Sequence, residues 1–169
     1  MLELSLLRHA KSDYENYNGD DLSRKVSIKG IKKTYELIKC LEKNKYSVDM
    51  VLCSPSRRTL KTLDIVLDYF EVIPKIKVVS EIYYGNEETL VPIIKNNDEG
   101  TKSKLIIGHE PTLSSLVSIF SPDKENLHFK NSQIKFSTSS FFKFKFDTQK
   151  WSDISSINAN IEFYYRPRI

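Results

Sequence analysis

The sequence predicts an α/β fold: a three-layer α/β/α sandwich with a mainly parallel central sheet. Three observations carry this expectation. Short apolar runs alternate with amphipathic stretches through the first two-thirds of the chain, which is the pattern of strands joined by crossover helices. Those strands read as continuous apolar runs, as expected of a sheet covered on both faces. The last third changes to alternating and aromatic segments, which adds antiparallel strands.

In chain order, LELSLL (Leu2 to Leu7) reads as a buried strand, followed by the polar loop KSDYENYNGDDLSRK. SIKGIKKTYELIKCLEKN reads as a helix capped by Ser27, with Ile28, Ile31, Tyr35, Ile38 and Leu41 on its apolar stripe. DMVLC (Asp49 to Cys53) is a second strand. SRRTLKTLDIVLDYF is a helix whose apolar face is Leu60, Leu63, Val66, Leu67 and Phe70. KIKVV is a third strand, and NEETLVPIIKNN a helix with Pro92 early enough to be tolerated. KLIIG (Lys104 to Gly108) is a fourth strand, TLSSLVSIF a short helix, and SSFFKFKF and NIEFYY are closing strands. The stretch SPDKENLHFKNSQ reads as a longer connection.

At 169 residues the chain is expected to form one domain, residues 1–169. Hydrophobic residues at 40% and charged residues at 28% fit a soluble globular protein. No apolar run approaches the roughly 20 residues of a membrane span, and MLELSLLRHA lacks the features of a secretory signal. Cys40 and Cys53 are the only cysteines and have no metal-like spacing. They read as packed thiols in a reducing compartment, so the cytoplasm is expected. The net charge of +4 comes with basic runs no longer than pairs. The lysines therefore read as solvated helix faces, with no nucleic-acid or membrane partner.

Chemistry gathers at the strand ends. The first strand runs into Arg8-His9, the second into SPSRR (Ser54 to Arg58), the fourth into GHEP (Gly108 to Pro111). Ligands of open α/β sheets bind outside the carboxyl ends of the strands. Three strands thus deliver arginine and histidine to one rim. Arginine offers forked donors matched to phosphate oxygens, and histidine can serve as nucleophile or acid/base. No cluster of metal ligands, Walker loop or GxGxxG is present, so neither a metal nor a nucleotide cofactor is expected.

LLRHAKSD resembles the Arg-His signature of the histidine phosphatase superfamily, whose fold is phosphoglycerate mutase-like. More narrowly, the chain resembles the SixA-type phosphohistidine phosphatase branch. RHAKSDY, LSRKVSIKG, VLCSPSRRTLKT, EIYYG, LIIGHEPTLSSLV and the tail FSTSSFF…W…YYRPR follow the family's order over nearly the whole chain. The resemblance implies that His9 is the nucleophile, forming a phosphohistidine intermediate, and that Arg8 binds phosphoryl oxygens. Arg58 rather than Arg57 matches the family arginine, standing midway between Ser54 and Thr62. His109 is the implied second histidine, stabilising the transferring phosphoryl group. Two departures stand out: RKVSIKG replaces an Arg-Pro-Leu stretch, and Glu110 replaces an asparagine.

The implied substrate is a phosphohistidine on a signalling or phosphorelay protein. Its leaving imidazole, with a conjugate-acid pKa near 6.5, departs more easily than an alkoxide. If small phosphomonoesters are the substrates instead, Glu81 in SEIYYG is the candidate acid. A non-catalytic module binding phosphoproteins is the remaining alternative. The chain has little length for a cap over the site, which favours an open pocket that admits a histidine displayed on another protein; a monomer is expected. Arg57 and His128 read as solvated, Trp151 and the tail aromatics as packing. Lys11 and Ser12 are placed to touch phosphate or lie in a solvated loop.

Overall fold

The computed structural model describes residues 1–15 and 17–168, so Asn16 of the first loop and Ile169 lie outside the description. Its elements are β1 (Leu2–Arg8), α1 (Ile28–Lys43), β2 (Met50–Cys53), α2 (Arg57–Leu67), β3 (Lys75–Val78), α3 (Glu81–Tyr84), α4 (Glu87–Ile94), β4 (Ser103–Gly108), α5 (Thr112–Phe120), α6 (Leu127–Ile134), β5 (Phe141–Phe146) and β6 (Ala159–Tyr165). The six strands form one sheet in the order β3-β2-β4-β1-β5-β6. The pairs among β1 to β4 are parallel, and β5 and β6 are antiparallel additions. No described helix is long and apolar enough to cross a membrane.

Alternation along the strands builds two cores. Leu4, Leu6, Leu52, Ile106, Phe142, Phe144 and Phe146 point to one face, beneath Ile94 of α4 and Leu113, Leu116 and Phe120 of α5. Leu7, Val51, Cys53, Leu105 and Ile107 point to the other, beneath Leu37 and Leu41 of α1 and Leu63 and Val66 of α2. The sheet is thus the middle of three layers, as the strand pattern predicts. On the second face Lys143 and Lys145 of β5 reach across to Glu3 of β1 at 3.3 and 3.7 Å.

Two helices turn differently from their expected stripes. In α1 the buried face is Gly30, Thr34, Leu37, Ile38 and Leu41, while Ile28 and Tyr35 are exposed. The cause is close approach: a Cβ on Gly30 would stand 2.2 Å from the Lys11 carbonyl oxygen, so the small-residue side of the helix must face the loop after β1. Ser27 caps this helix as expected, accepting from the Gly30 N–H at 3.0 Å. In α2, Leu60 is exposed, and Ile65 joins the buried Leu63 and Val66. Its polar buried residues, Arg58, Thr59 and Thr62, face the strand ends. Pro92 lies in the second half of α4, not early in it. There it deprives only the exposed Glu88 of a helical donor. The stretch read as a connection contains α6, started by Asn126, whose carboxamide accepts from the His128 and Phe129 N–H groups.

Candidate active site

Strand register assembles the site. Arg8 of β1 pairs with Gly108 of β4, and Cys53 of β2 pairs with Ile107. The residues just beyond, His9, His109 and Ser54, therefore emerge side by side. The His9 N–H donates to the Gly108 carbonyl at 3.1 Å, and the Ser54 N–H to the Ile107 carbonyl at 3.1 Å. The His9 and His109 rings stand 5.2 Å apart between centroids. Arg58 enters from the first turn of α2, which Ser56 caps through the Thr59 N–H. Arg57, its neighbour, faces solvent as expected, whereas Arg58 is only 6% exposed.

His9 is held in one tautomer. Its Nδ1 lies 2.7 Å from the Ala10 carbonyl oxygen. A carbonyl can only accept, so Nδ1 carries the proton and Nε2 keeps its lone pair. The same segment is pinned by the Ala10 N–H, which donates to Thr62 Oγ1 at 2.8 Å, and that hydroxyl donates to the Arg58 carbonyl at 2.7 Å. Burial, then the neighbouring His109, Arg58 and Arg8, push the His9 pKa down to about 3, against the opposing Ala10 hydrogen bond. A neutral imidazole with a free lone pair is the form that attacks phosphorus.

His109 is likewise neutral. Burial, then Arg58, lowers its pKa to about 4. Its Nε2 lies 2.7 Å from Ser54 Oγ, and its Nδ1 lies 3.4 Å from the Arg58 guanidinium. Arginine can only donate, so Nδ1 is the acceptor there and Nε2–H donates to Ser54.

The arginines are anchored but not saturated. Arg8 donates to the Phe136 carbonyl at 2.9 Å. Arg58 donates to the Asp21 carbonyl at 2.8 Å and pairs with the Asp21 carboxylate at 3.0 Å. The Nε atoms of both are buried without a partner. Burial lowers the Arg8 pKa, the Glu110 carboxylate opposes that, and Arg58 adds to it.

Asp21, Tyr83, Ser54 and Thr62 complete the cluster, and sequence reasoning assigned none of them a role. The Tyr83 hydroxyl donates to Asp21 at 2.7 Å. That bond, followed by Arg24 and Arg58, holds the Asp21 carboxyl down at about 2, burial notwithstanding, and pushes the Tyr83 phenol up to about 12. The EIYYG segment was the available signal for Tyr83; Asp21 had none beyond its place in the first loop.

Glu81 begins α3, exposed, and no described hydrogen bond or ion pair ties it to the cluster. Glu110 folds back on α5, accepting from the Ser114 N–H and hydroxyl at 2.7 Å each. It thus caps α5 in place of Pro111 while its carboxylate stays near enough to Arg8 to oppose the lowering of that pKa. The Ser12 hydroxyl is taken by Arg24, and Lys11 is exposed. His128 corrects its expectation: it is half-buried, and its Nδ1 accepts the Tyr164 N–H of β6 at 3.1 Å, joining α6 to the sheet. Burial pushes the Cys53 thiol up to about 12 and also raises Cys40, consistent with packing. Among the described residues no group of three or more His, Cys, Asp and Glu is arranged to hold a metal.

The six-strand, mostly parallel sheet between two helical layers is the phosphoglycerate mutase-like fold. Within it the chain is similar to SixA structures. One, from Nakamurella multipartitia and provisionally assigned as phosphohistidine phosphatase SixA, superposes with a TM-score of 0.81 at 19% identity, covering 98% of this chain and 96% of that one. The protein histidine phosphatase SixA complexed with tungstate gives a TM-score of 0.76 at 21% identity over 96% of each chain. In sequence, an uncharacterized Mycobacterium leprae protein is 24% identical over 166 residues, 96% of this chain and 100% of its own length. No family model matches the chain.

Proposed function

We propose that the protein is a phosphohistidine phosphatase that works through a covalent phospho-His9 intermediate without a metal. The observation that carries this reading is the His9 tautomer: the Ala10 carbonyl holds the Nδ1 proton, leaving Nε2 free beside Arg8, Arg58 and His109. The similar SixA structure that is complexed with tungstate, a tetrahedral oxyanion like phosphate, supports it.

In the first step His9 Nε2 attacks phosphorus. The phosphorus–nitrogen bond of the substrate breaks, and the leaving imidazole takes a proton from solvent. Arg8 and Arg58 supply donors to the phosphoryl oxygens, including their unpartnered Nε–H groups. His109 lies close enough to bear on the same charge. In the second step water attacks the phospho-His9 phosphorus. The phosphorus–Nε2 bond breaks, phosphate leaves, and the proton lost by water passes to solvent. Asp21 holds Arg58 in place, and its low pKa keeps it a carboxylate, so it is a positioning residue and not the acid.

Turnover of a phosphohistidine-bearing protein and of a simple aryl phosphate, with a chelator present, tests the reading. Release from the protein that is fast and lost in His9→Ala upholds it. A preference for the ester that disappears in Glu81→Ala would make the protein a small-ester phosphatase. Tight phosphopeptide binding without turnover would make it a binding module.

A further inference from the structure

Beyond the loop that holds Arg8 lies a second cationic region. Lys29 and Lys33 stand one turn apart on α1, Lys135 ends α6, and Arg166 and Arg168 follow β6. These three distant stretches of chain bound a groove of about 260 Å³ with Ser137 on its floor. Among the described residues no carboxylate lines the groove, and none of the five cations makes an ion pair. Lys33 registers the crowding: partial burial, then Lys29, Arg166, Lys11 and Lys135, lower its pKa.

The groove is joined to the reaction centre. Ser137 follows Phe136, whose carbonyl anchors Arg8, and the Ser139 N–H donates to the Arg8 and His9 carbonyls at 3.1 and 3.2 Å. Lys33 Nζ reaches Thr138 Oγ1 at 3.4 Å, and Thr34 Oγ1 meets Ser139 Oγ at 2.9 Å. A ligand in the groove therefore lies one short loop from the phosphoryl pocket. Concentrated charge of one sign steers an oppositely charged partner and fixes its orientation. The groove is walled by long, mobile cations with no aromatic residue among them. That suits carboxylates on an extended chain, and it offers no stacking platform for nucleic-acid bases.

We infer that the groove bounded by Lys29, Lys33, Lys135, Arg166 and Arg168 docks an acidic segment of the protein whose phosphohistidine occupies the Arg8–His9 pocket. The inference rests on the phosphohistidine reading of that pocket, and it makes the substrate class a phosphohistidine flanked by acidic residues.

Two synthetic phosphohistidine peptides test it, one with a run of glutamates beside the phosphorylated residue and one with glutamines in their place. Aryl phosphate is the control for the pocket, and the variants are Arg166→Glu and Lys33→Glu/Arg166→Glu. The wild-type chain should favour the glutamate peptide about tenfold in kcat/KM, through KM, with the preference shrinking as salt rises. Both variants should reduce that preference and leave aryl phosphate turnover unchanged. Equal kcat/KM for the two peptides, or variants that lose aryl phosphate turnover in step, would overturn it. If neither peptide is hydrolysed, the phosphatase reading fails separately. Fluorescence anisotropy of the unphosphorylated peptides then decides the groove. Binding of the glutamate peptide alone, lost in Arg166→Glu, upholds it; equal binding of both, or tighter binding of a single-stranded oligonucleotide at the same residues, overturns it.

Discussion

Lys104 and Arg58 are both buried cations, one on each side of the line between architecture and chemistry. Lys104, fully buried on β4, donates to the Ile94 and Asn96 carbonyls at 3.0 and 2.7 Å and pairs with Asp98 at 2.8 Å. Its ammonium also lies 4.5 Å from the centre of the Trp151 ring. Every proton has a partner, and the group ties the end of α4 to the sheet. Arg58 is nearly as buried but keeps an unpartnered Nε, and Arg8 keeps another. A buried donor without a partner costs about 1–3 kcal/mol. The saturated cation holds the fold; Arg8 and Arg58 keep Nε donors free for a further anion, beside the Asp21 carboxylate that Arg58 already holds.

The contrast can be broken at several points, beginning with the largest effect. His9→Ala should lower turnover at least about a thousandfold, as loss of a nucleophile does, while circular dichroism shows the fold intact. Collapse of that variant would make His9 a structural residue. Lys104→Met should leave turnover by the folded protein unchanged but reduce unfolding free energy by about 2–4 kcal/mol in urea titrations, because Asp98 and two carbonyls lose a buried partner. Lost activity with unaltered stability there would erase the distinction. Arg58→Lys should lower kcat/KM by about 10–100-fold, since an ammonium cannot reproduce the guanidinium fork, whereas Arg57→Lys should be near normal. The reverse pattern would mean that the other arginine faces the substrate.

Acid provides a further probe. The His9 and His109 pKa values in the folded protein, about 3 and about 4, lie below the ordinary 6.5. Between those values and 6.5 the unfolded chain binds more protons than the folded one. Stability should therefore fall as pH drops through this window, and His9→Ala should flatten part of the fall in melting temperature between pH 6.5 and 4. An unchanged acid slope in that variant would mean that His9 is not buried neutral. The smallest effect belongs to Asp21→Asn. Removing the carboxylate that holds Arg58 in place should weaken inhibition by inorganic phosphate by about two- to fivefold; tighter inhibition would show that Asp21 mainly competes with phosphate for the arginine.

What the sequence reveals of this site follows its chemistry. Arg8, His9, Arg58 and His109 sit in contiguous motifs directly after strands, so a parallel sheet brings them together by register alone. Asp21 and Tyr83 meet only because the loop after β1 folds over α2 and α3, and no periodicity encodes that. The cationic groove is hidden for the same reason: its residues come from three stretches far apart in sequence, and its lysines read as solvated helix faces. The α1 stripe misleads because its closest contact uses Gly30, where the absence of a side chain is the packing signal. The α6 helix lacks apolar contrast and shows itself only through its Asn126 cap.

The covalent role of His9 is the central claim, and trapping the intermediate tests it most directly. The wild-type chain would be mixed with phosphoramidate or a phosphohistidine-bearing protein, quenched within its first turnover under alkaline denaturing conditions, and mapped by peptide mass spectrometry. The account predicts an acid-labile, base-stable phosphoryl group on His9 that forms before phosphate is released and is absent from His9→Ala. Turnover with no such adduct, or an adduct on His109 or His128, would contradict it.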